Sequence, residues 1–436
     1  MKPSKFIGLC ALAALASGAP AQAELSSAEQ RMTETVDAEM ERTVSLLERV
    51  VNQNSGTRNV EGNRAVMAML RPEFEALGFT VEIIDQDEVD RAGHFFARRE
   101  GHPANRRILL IGHTDTVFEP DSAFQTFTRN GDRATGPGVV DDKGGVAVII
   151  AALRAMHEAG TLEGANIVVA LTGDEEDFGE PAAIGRRDLV EAGQWADIAL
   201  GFEGLAIRDG QDMGTIARRS SNSWTLTTSG NQGHSSTIFS DWAGDGAIYE
   251  MARIISRFRS ELPEPNLTFN VGLLAGGTTA ELDEQALRAQ ATGKTNIIPP
   301  IAIARGDFRT LSQEQTDRVR ARMREIVADH APGTGAEILF DEGYPPMAPT
   351  AGNRALFDRL NSVNSDLGLP EMGLLDPALR GAADIAFVAE YTDALAGLGA
   401  AGEGSHGPAE TIDLSVIPRQ AKRAAILISR LAAEER

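Results

Sequence analysis

Apolar positions along the chain change their period several times, and each change marks an element. Over residues 27–70 the sequence is polar, with Met40, Val44, Leu47, Val50 and Val51 at helical spacing; this predicts one amphipathic helix and a second beginning after Asn63. Short β-branched or aliphatic runs follow at residues 80–84, 107–112, 165–172 and 197–202, and residues 144–159 and 181–192 between them read as helices. That alternation is the βαβ rhythm of a largely parallel sheet covered on both faces. From about Ala217 the texture differs. Residues 223–229 alternate as a strand, 244–260 read as a helix, 267–274 and 295–309 as strands, 312–330 as a helix and 336–340 as a strand. This β-α-β-β-α-β order predicts a ferredoxin-like insertion. Beyond Gly343 come helices at 353–363 and 383–390, a strand at 394–397 and a C-terminal helix at 417–433. The fold class predicted is α/β, a catalytic domain with a mixed, mostly parallel sheet (residues 24–216 and 343–436) interrupted by a ferredoxin-like α+β lid and dimerisation domain (residues 217–342).

Composition narrows the function. The 436 residues are 42% hydrophobic, enough for two or three domains with buried cores. With 41 Lys+Arg against 63 Asp+Glu the net charge is −22, which repels phosphate backbones and anionic lipid and so disfavours nucleic-acid or membrane-surface partners. The single cysteine, Cys10, follows Lys2 and Lys5 inside the apolar run 6–16, and Ala21-Gln22-Ala23 comes after it. Residues 1–23 therefore read as a cleavable signal peptide, which predicts a periplasmic or secreted mature chain with no cysteine and no disulfide. Leu9 in front of Cys10 is too large for a lipidation signal. No later run is long and apolar enough to cross a bilayer.

The candidate chemistry sits where predicted strands end. His113 stands in Gly112-His113-Thr114-Asp115-Thr116 directly after an aliphatic strand, a pattern for a histidine ligand with an orienting carboxylate or for a buried, hydrogen-bonded histidine. Asp141 and Asp142 lie in Gly138-Val139-Val140-Asp141-Asp142-Lys143-Gly144-Gly145 before a helix, where acids commonly act as caps. Gly173-Asp174-Glu175-Glu176 ends another strand, and three acids there repel unless a cation or solvent separates them. Glu203 and His406 complete the set at two further ends. Two histidines, three carboxylates and one glutamate to spare are the inventory of a two-metal hydrolytic centre, and imidazole with carboxylate suits zinc.

The ordered motifs Gly-His-Thr-Asp-Thr, Gly-Val-Val-Asp-Asp-Lys-Gly-Gly, Thr-Gly-Asp-Glu-Glu, Gly-Phe-Glu and Gly-Ser-His resemble those of the co-catalytic zinc peptidases and deacylases related to glutamate carboxypeptidase, acetylornithine deacetylase and aminoacylase. The resemblance implies two zinc ions per subunit. His113 and Glu203 hold one, Glu176 and His406 the other, and Asp141 bridges them. It also implies that Asp115 orients His113 and that Glu175 is the general base, passing a proton from the attacking water to the leaving nitrogen. In the insertion, Gly230-Asn231-Gln232-Gly233-His234-Ser235-Ser236 resembles the lid segment whose histidine reaches the partner subunit's site in a homodimer. Asn296 and Arg309 resemble lid positions that bind the substrate's carboxylate end, a task suited to the planar guanidinium; a salt bridge within the lid is the other reading of Arg309.

Two departures bear on substrate. Arg380-Gly381-Ala382-Ala383-Asp384 stands where the family often has Gly-Gly-Ser/Thr-Asp, so a hydroxyl is missing beside Asp384. Glu403 adds an acid near His406, selecting against acidic substrates or facing solvent. The function expected is an exported zinc carboxypeptidase releasing a C-terminal amino acid from peptides or N-acyl amino acids. The alternatives are an N-acyl amino acid deacylase and a metal-stabilised peptide-binding protein, and the intact Glu175 speaks against the last.

Overall fold

Strands without polar interruption need cover on both faces, and the computed structural model, which describes residues 25–283 and 286–436, provides it. The residues read as a signal peptide lie outside the described residues. Along Arg107–His113, Ile108 and Leu110 join one hydrophobic cluster while Leu109 and Ile111 join another, because successive side chains of a strand point to opposite faces. The helices Ser27–Ala38, Met40–Val51, Lys143–Glu158 and Val416–Ala432 pack together over the first face. Lys143–Glu158 is buried along nearly its whole length, as its near-continuous apolar sequence requires. The second face is covered by Arg187–Trp195 and the short turn Asp384–Phe387, through Leu189, Ala192, Ile385 and Ala386.

The six strands run in the order Thr80–Gln86, Arg91–Arg99, Asn166–Thr172, Arg107–His113, Ile198–Gly201, Asp393–Leu395. The last four pair in parallel and the first two add antiparallel ladders, so the sheet is mixed and mostly parallel. Arg91–Arg99 is a strand that the apolar pattern did not predict. Its apolar core, Ala92 and Phe95 to Ala97, is split by His94 and flanked by arginines; pairing on both edges and burial of His94 and Arg91 overrode the local polarity. Gly93 sits in it at φ +102°, where a Cβ would come within 2.5 Å of the Ile84 carbonyl oxygen.

A second, four-stranded antiparallel sheet has the order Thr268–Gly277, Ile301–Arg309, Asn222–Gly230, Thr334–Phe340, with the helices Ala247–Glu261 and Gln313–Ala328 packed on it. Chain order and sheet order are those of a ferredoxin-like unit. It has its own core of Trp224, Leu226, Ile254, Phe258, Ala304, Phe308 and Met323.

Other elements depart from the expected bounds for local reasons. The N-terminal stretch forms three helices, Ser27–Ala38, Met40–Val51 and Val60–Glu75. The expected strand at 295–309 is split into Ile297–Ile298 and Ile301–Arg309 by Pro299 and Pro300, which cannot donate to a ladder. The helix expected at 181–192 divides into Ala182–Gly185 and Arg187–Trp195, and that at 383–390 shrinks to Asp384–Phe387. Among the described residues, no helix is long and apolar enough to cross a membrane.

Candidate metal centre

Parallel strands deliver their carboxyl ends to one edge of the sheet, and that edge carries the candidate residues. His113 is the last residue of its strand, paired with Thr172 across the ladder, and the ladder continues through Thr114 N–H to the Thr172 carbonyl oxygen at 2.8 Å. One residue beyond Gly173 the chain turns through Asp174, Glu175 and Glu176. On the other side, the Phe202 N–H donates to the Ile111 carbonyl oxygen at 2.8 Å, which holds Glu203 at the same edge.

Asp141 is the centre of the arrangement. Its Oδ1 lies 3.2 Å from His113 Nε2 and its Oδ2 lies 3.2 Å from His406 Nε2. His406 Nε2 is also 3.1 Å from Glu176 Oε2. His113, Asp141 and Glu176 each offer one ligand atom, all within 4.8 Å of one another. The helix-cap reading of the acid pair fails: Asp142 occupies the N-cap position of Lys143–Glu158 without a side-chain capping bond, and Asp141 is turned toward the two imidazoles. Glu410 shapes the loop, accepting the N–H groups of Gly138, Val140 and Asp141 at 3.1, 2.8 and 3.1 Å.

Asp115 is buried beneath His113, with Oδ1 3.2 Å from Nδ1. The same carboxylate accepts the N–H of Glu175 on Oδ1 and of Glu176 on Oδ2, at 3.0 and 3.1 Å, and the Thr57 hydroxyl on Oδ2 at 2.6 Å. One buried acid thus aligns the histidine and the Glu175-Glu176 turn together. From the other side the Tyr344 hydroxyl donates to the Glu175 carbonyl oxygen. Arg186 bonds Asp174 Oδ1 at 2.6 Å and Asp384 Oδ1 at 2.8 Å. The hydroxyl missing beside Asp384 in sequence is supplied from another strand, by Thr172 Oγ1 at 2.5 Å.

The electrostatics describe a site made for cations. Burial opposes the charge of Asp141, yet its bonds from His113 and His406 hold the carboxyl far below its usual range. Burial likewise opposes the His113 imidazolium, and the bonds to Asp115 and Asp141 outweigh it, raising the pKa well above the ordinary value. His406 is raised to about 10 by Asp141 and Glu176. Burial pushes Glu176 up to about 7 and raises Glu175 well above the carboxylate range, with the charge of Glu203 adding to the latter. Nitrogen and carboxylate oxygen are zinc-type donors, and two ligands at 2.0–2.2 Å from one ion lie roughly 3–3.5 Å apart, the spacing seen here. The donor set fits a pair of divalent ions sharing Asp141.

Glu203 stands slightly aside. It lines the cavity with Asp141, Glu175 and His406, and its Oε2 accepts a bond from Arg218 at 2.6 Å, leaving the other oxygen free of that pair. The three lid candidates are not brought to this cavity by their own chain. His234 is exposed, its Nδ1 2.8 Å from the Ser236 hydroxyl, and the Asn296 carbonyl oxygen accepts the Ser235 N–H at 2.9 Å, so the two lie side by side. Arg309 Nε is 3.5 Å from Asp307 Oδ2, the within-lid ion pair that was the alternative reading. Sequence reasoning missed Arg218, Arg380, Glu410, Tyr344 and Thr57. Each acts on a partner at least 15 positions away; only Arg380 stands in a motif, Arg380-Gly381-Ala382-Ala383-Asp384, where the missing hydroxyl drew the attention instead.

Comparison with known proteins gives a consistent answer. Residues 109–430 match the sequence profile of peptidase family M20/M25/M40. Carboxypeptidase G2 of Pseudomonas sp. (strain RS-16) is 29% identical over 401 residues, covering 89% of each chain. Succinyl-diaminopimelate desuccinylase of Gluconobacter oxydans (strain 621H) is 27% identical over 363 residues, 80% of this chain and 88% of that one. Among solved structures, aminopeptidase PepT from Bacillus cereus superposes with a TM-score of 0.71 at 18% identity, over 90% of this chain and 99% of that chain. The Bacillus subtilis YXEP protein, described as a dinuclear metal-binding peptidase, gives 0.61 at 18% identity, over 91% and 99%. These structural likenesses establish the fold.

Proposed function

The chain belongs to peptidase family M20/M25/M40, a family of metal-dependent hydrolases, and on that premise we propose a dizinc carboxypeptidase that hydrolyses the amide bond of a C-terminal amino acid. The observation that carries this reading is Asp141, whose two oxygens each face a different imidazole at 3.2 Å. His113 and Glu203 would hold one ion and Glu176 and His406 the other, with Asp141 shared. Bound zinc supplies Lewis acidity toward the amide carbonyl and toward a water.

The remaining steps belong to side chains. Glu175, held by Asp115 and Tyr344 through its backbone, takes a proton from the attacking water and returns it to the amide nitrogen as the bond breaks. Asn296 and Arg309 bind the free carboxylate of the departing amino acid, and His234 of a partner subunit donates to the developing oxyanion. Exposed Phe239, Trp242 and Tyr249 near His234 support a homodimer through the inserted unit. Residues 1–23 direct export to the periplasm or beyond.

A second reading, an N-acyl amino acid deacylase, is favoured by the relative named as a desuccinylase. One experiment separates the two: zinc-loaded protein is incubated with a mixed library of peptides and N-acyl amino acids, and products are read by mass. Release of C-terminal amino acids from peptides supports the carboxypeptidase. Cleavage of N-acyl amino acids alone replaces it with the deacylase, and an intact library overturns both.

A further inference from the structure

Between the histidine loop and the glutamate turn lies a buried amide that the chemistry above does not use. Asn63, fully buried in the first turn of the helix Val60–Glu75, donates from Nδ2 to the Gly173 carbonyl oxygen at 2.6 Å and accepts the Thr114 hydroxyl on Oδ1, also at 2.6 Å. A carbonyl oxygen can only accept, so the amide has one orientation, with its NH2 toward Gly173 and its oxygen toward Thr114. Thr114 stands between His113 and Asp115, and Gly173 opens the turn that carries Glu175 and Glu176. Pairing of the two strands ends where the Thr114 N–H meets the Thr172 carbonyl oxygen, and Gly173 lies one residue beyond. A buried carbonyl there needs a donor, and Asn63 brings it from 110 positions away. The turn has little slack. A Cβ on Gly173 would come within 2.4 Å of the Gly93 carbonyl oxygen and 2.8 Å of Met67 Cε, so the chain is wedged between the strand Arg91–Arg99 and the helix that carries Asn63. Buried Val66, Met67, Leu70 and Phe74 anchor that helix in the core, and the Ser55 hydroxyl, just before it, donates to the Thr114 carbonyl oxygen at 2.7 Å.

We propose that Asn63 is a positioning residue of the metal centre: its side chain sets the distance between the His113-Thr114-Asp115 loop and the Gly173–Glu176 turn, and so fixes Glu175 and Glu176 against His113. Asp115 grips the turn at the N–H groups of Glu175 and Glu176, after it has begun. Asn63 grips it at Gly173, where it leaves the strand. Held at both places, the turn has few positions left in which to carry its two carboxylates, and the support comes from a helix rather than from another loop. The effect on turnover rests on the hydrolytic reading above; the effect on how a metal is held does not.

The test reads metal geometry and turnover separately. Asn63→Leu removes both bonds at similar size, Thr114→Val removes the hydroxyl from the other end, and Thr114→Ser keeps it. Cobalt(II) is loaded in place of zinc because its visible absorption bands respond to the arrangement of its ligands. Those bands should shift in Asn63→Leu and in Thr114→Val and stay at their wild-type positions in Thr114→Ser. With saturating zinc and well below the melting temperature, kcat of Asn63→Leu should fall about 10- to 100-fold, the scale of an ångström-sized misplacement, while KM changes little. The double variant Asn63→Leu, Thr114→Val should be no worse than Asn63→Leu alone, since both cut the same link. Wild-type bands and wild-type kcat in Asn63→Leu, with only the melting temperature lowered, give the amide a purely structural role and overturn the proposal. So does a change confined to KM, or a double variant whose losses multiply. If Asn63→Leu does not fold, the Thr114 pair decides, and identical bands in Thr114→Val and Thr114→Ser overturn it. If wild type cleaves no substrate, the hydrolytic reading falls and the cobalt bands alone judge the positioning.

Discussion

Asp115 Oδ1 accepts the backbone N–H of Glu175 at 3.0 Å, so the acid that orients His113 also sets the position of the candidate base. The strand-end motif and the glutamate turn are 60 residues apart in sequence and share one buried carboxylate.

That sharing makes Asp115→Asn informative. An amide presents a donor where two backbone N–H groups, a hydroxyl and an imidazole all need an acceptor. Zinc affinity should fall about 10- to 100-fold, the usual cost of losing the partner of a ligating histidine, and kcat should fall with it even at saturating zinc. Competition with a chromophoric chelator measures the first and steady-state kinetics the second. Unchanged affinity would falsify the orienting role.

Glu175→Gln and Asp141→Ala should separate chemistry from metal binding. The first is expected to keep its metal while kcat drops on the order of 10²-fold or more, the scale of general acid–base catalysis. The second should lose both ions, because both imidazoles face that one carboxylate. Elemental analysis beside kcat decides. An active Glu175→Gln sinks the base, and loss of a single ion from Asp141→Ala contradicts sharing.

Acid stability has a specific source away from the site. Burial raises the pKa of Glu73, but Arg154, itself almost wholly buried and 2.5 Å away, outweighs it, with Arg42 and Arg49 adding their charges, so the folded carboxyl lies below its unfolded value. A depressed acid contributes stability that is present above the unfolded pKa, about 4.3, and is lost as pH falls through the folded value. Thermal unfolding of wild type and Glu73→Gln should therefore differ most near pH 7 and converge toward pH 3. A gap that stays constant with pH removes the linkage.

His234 tests the proposed dimer. Homodimers of His234→Ala and of Glu175→Ala should each bind zinc and turn over slowly. Once exchanged into heterodimers, one site regains both intact residues if His234 acts on the partner, and activity should return toward one working site per pair. Exchange verified by mass spectrometry without recovered activity places His234 within its own chain or in a structural role.

Much of the fold was legible because the signals are local. Apolar runs of strand length, and the change from βαβ rhythm to alternating strands near Ala217, are properties of neighbouring residues, and both sheets appear as expected. The strand Arg91–Arg99 was hidden because its cohesion comes from two partner strands and not from its own apolar content. The helix expected at 383–390 shortened to Asp384–Phe387 for a related reason: the Asp384 side chain answers to Arg186 and Thr172, which local propensity does not register.

The same division holds at the site. By itself the sequence determined which side chains are candidates: His113, Asp115, Glu175, Glu176, Glu203 and His406 sit in short motifs that mark a strand or loop end, and Asp141 sits in a glycine-rich turn before a helix. Only the tertiary structure decided what those acids and imidazoles do to one another. It turned Asp141 away from helix capping and toward two imidazoles, placed Asp115 under both His113 and the backbone of Glu175, and set Arg218 on Glu203 while leaving Arg380 Nε without a partner. Charge–charge and hydrogen-bond energies depend on distance through space, and chain folding, not sequence order, sets those distances.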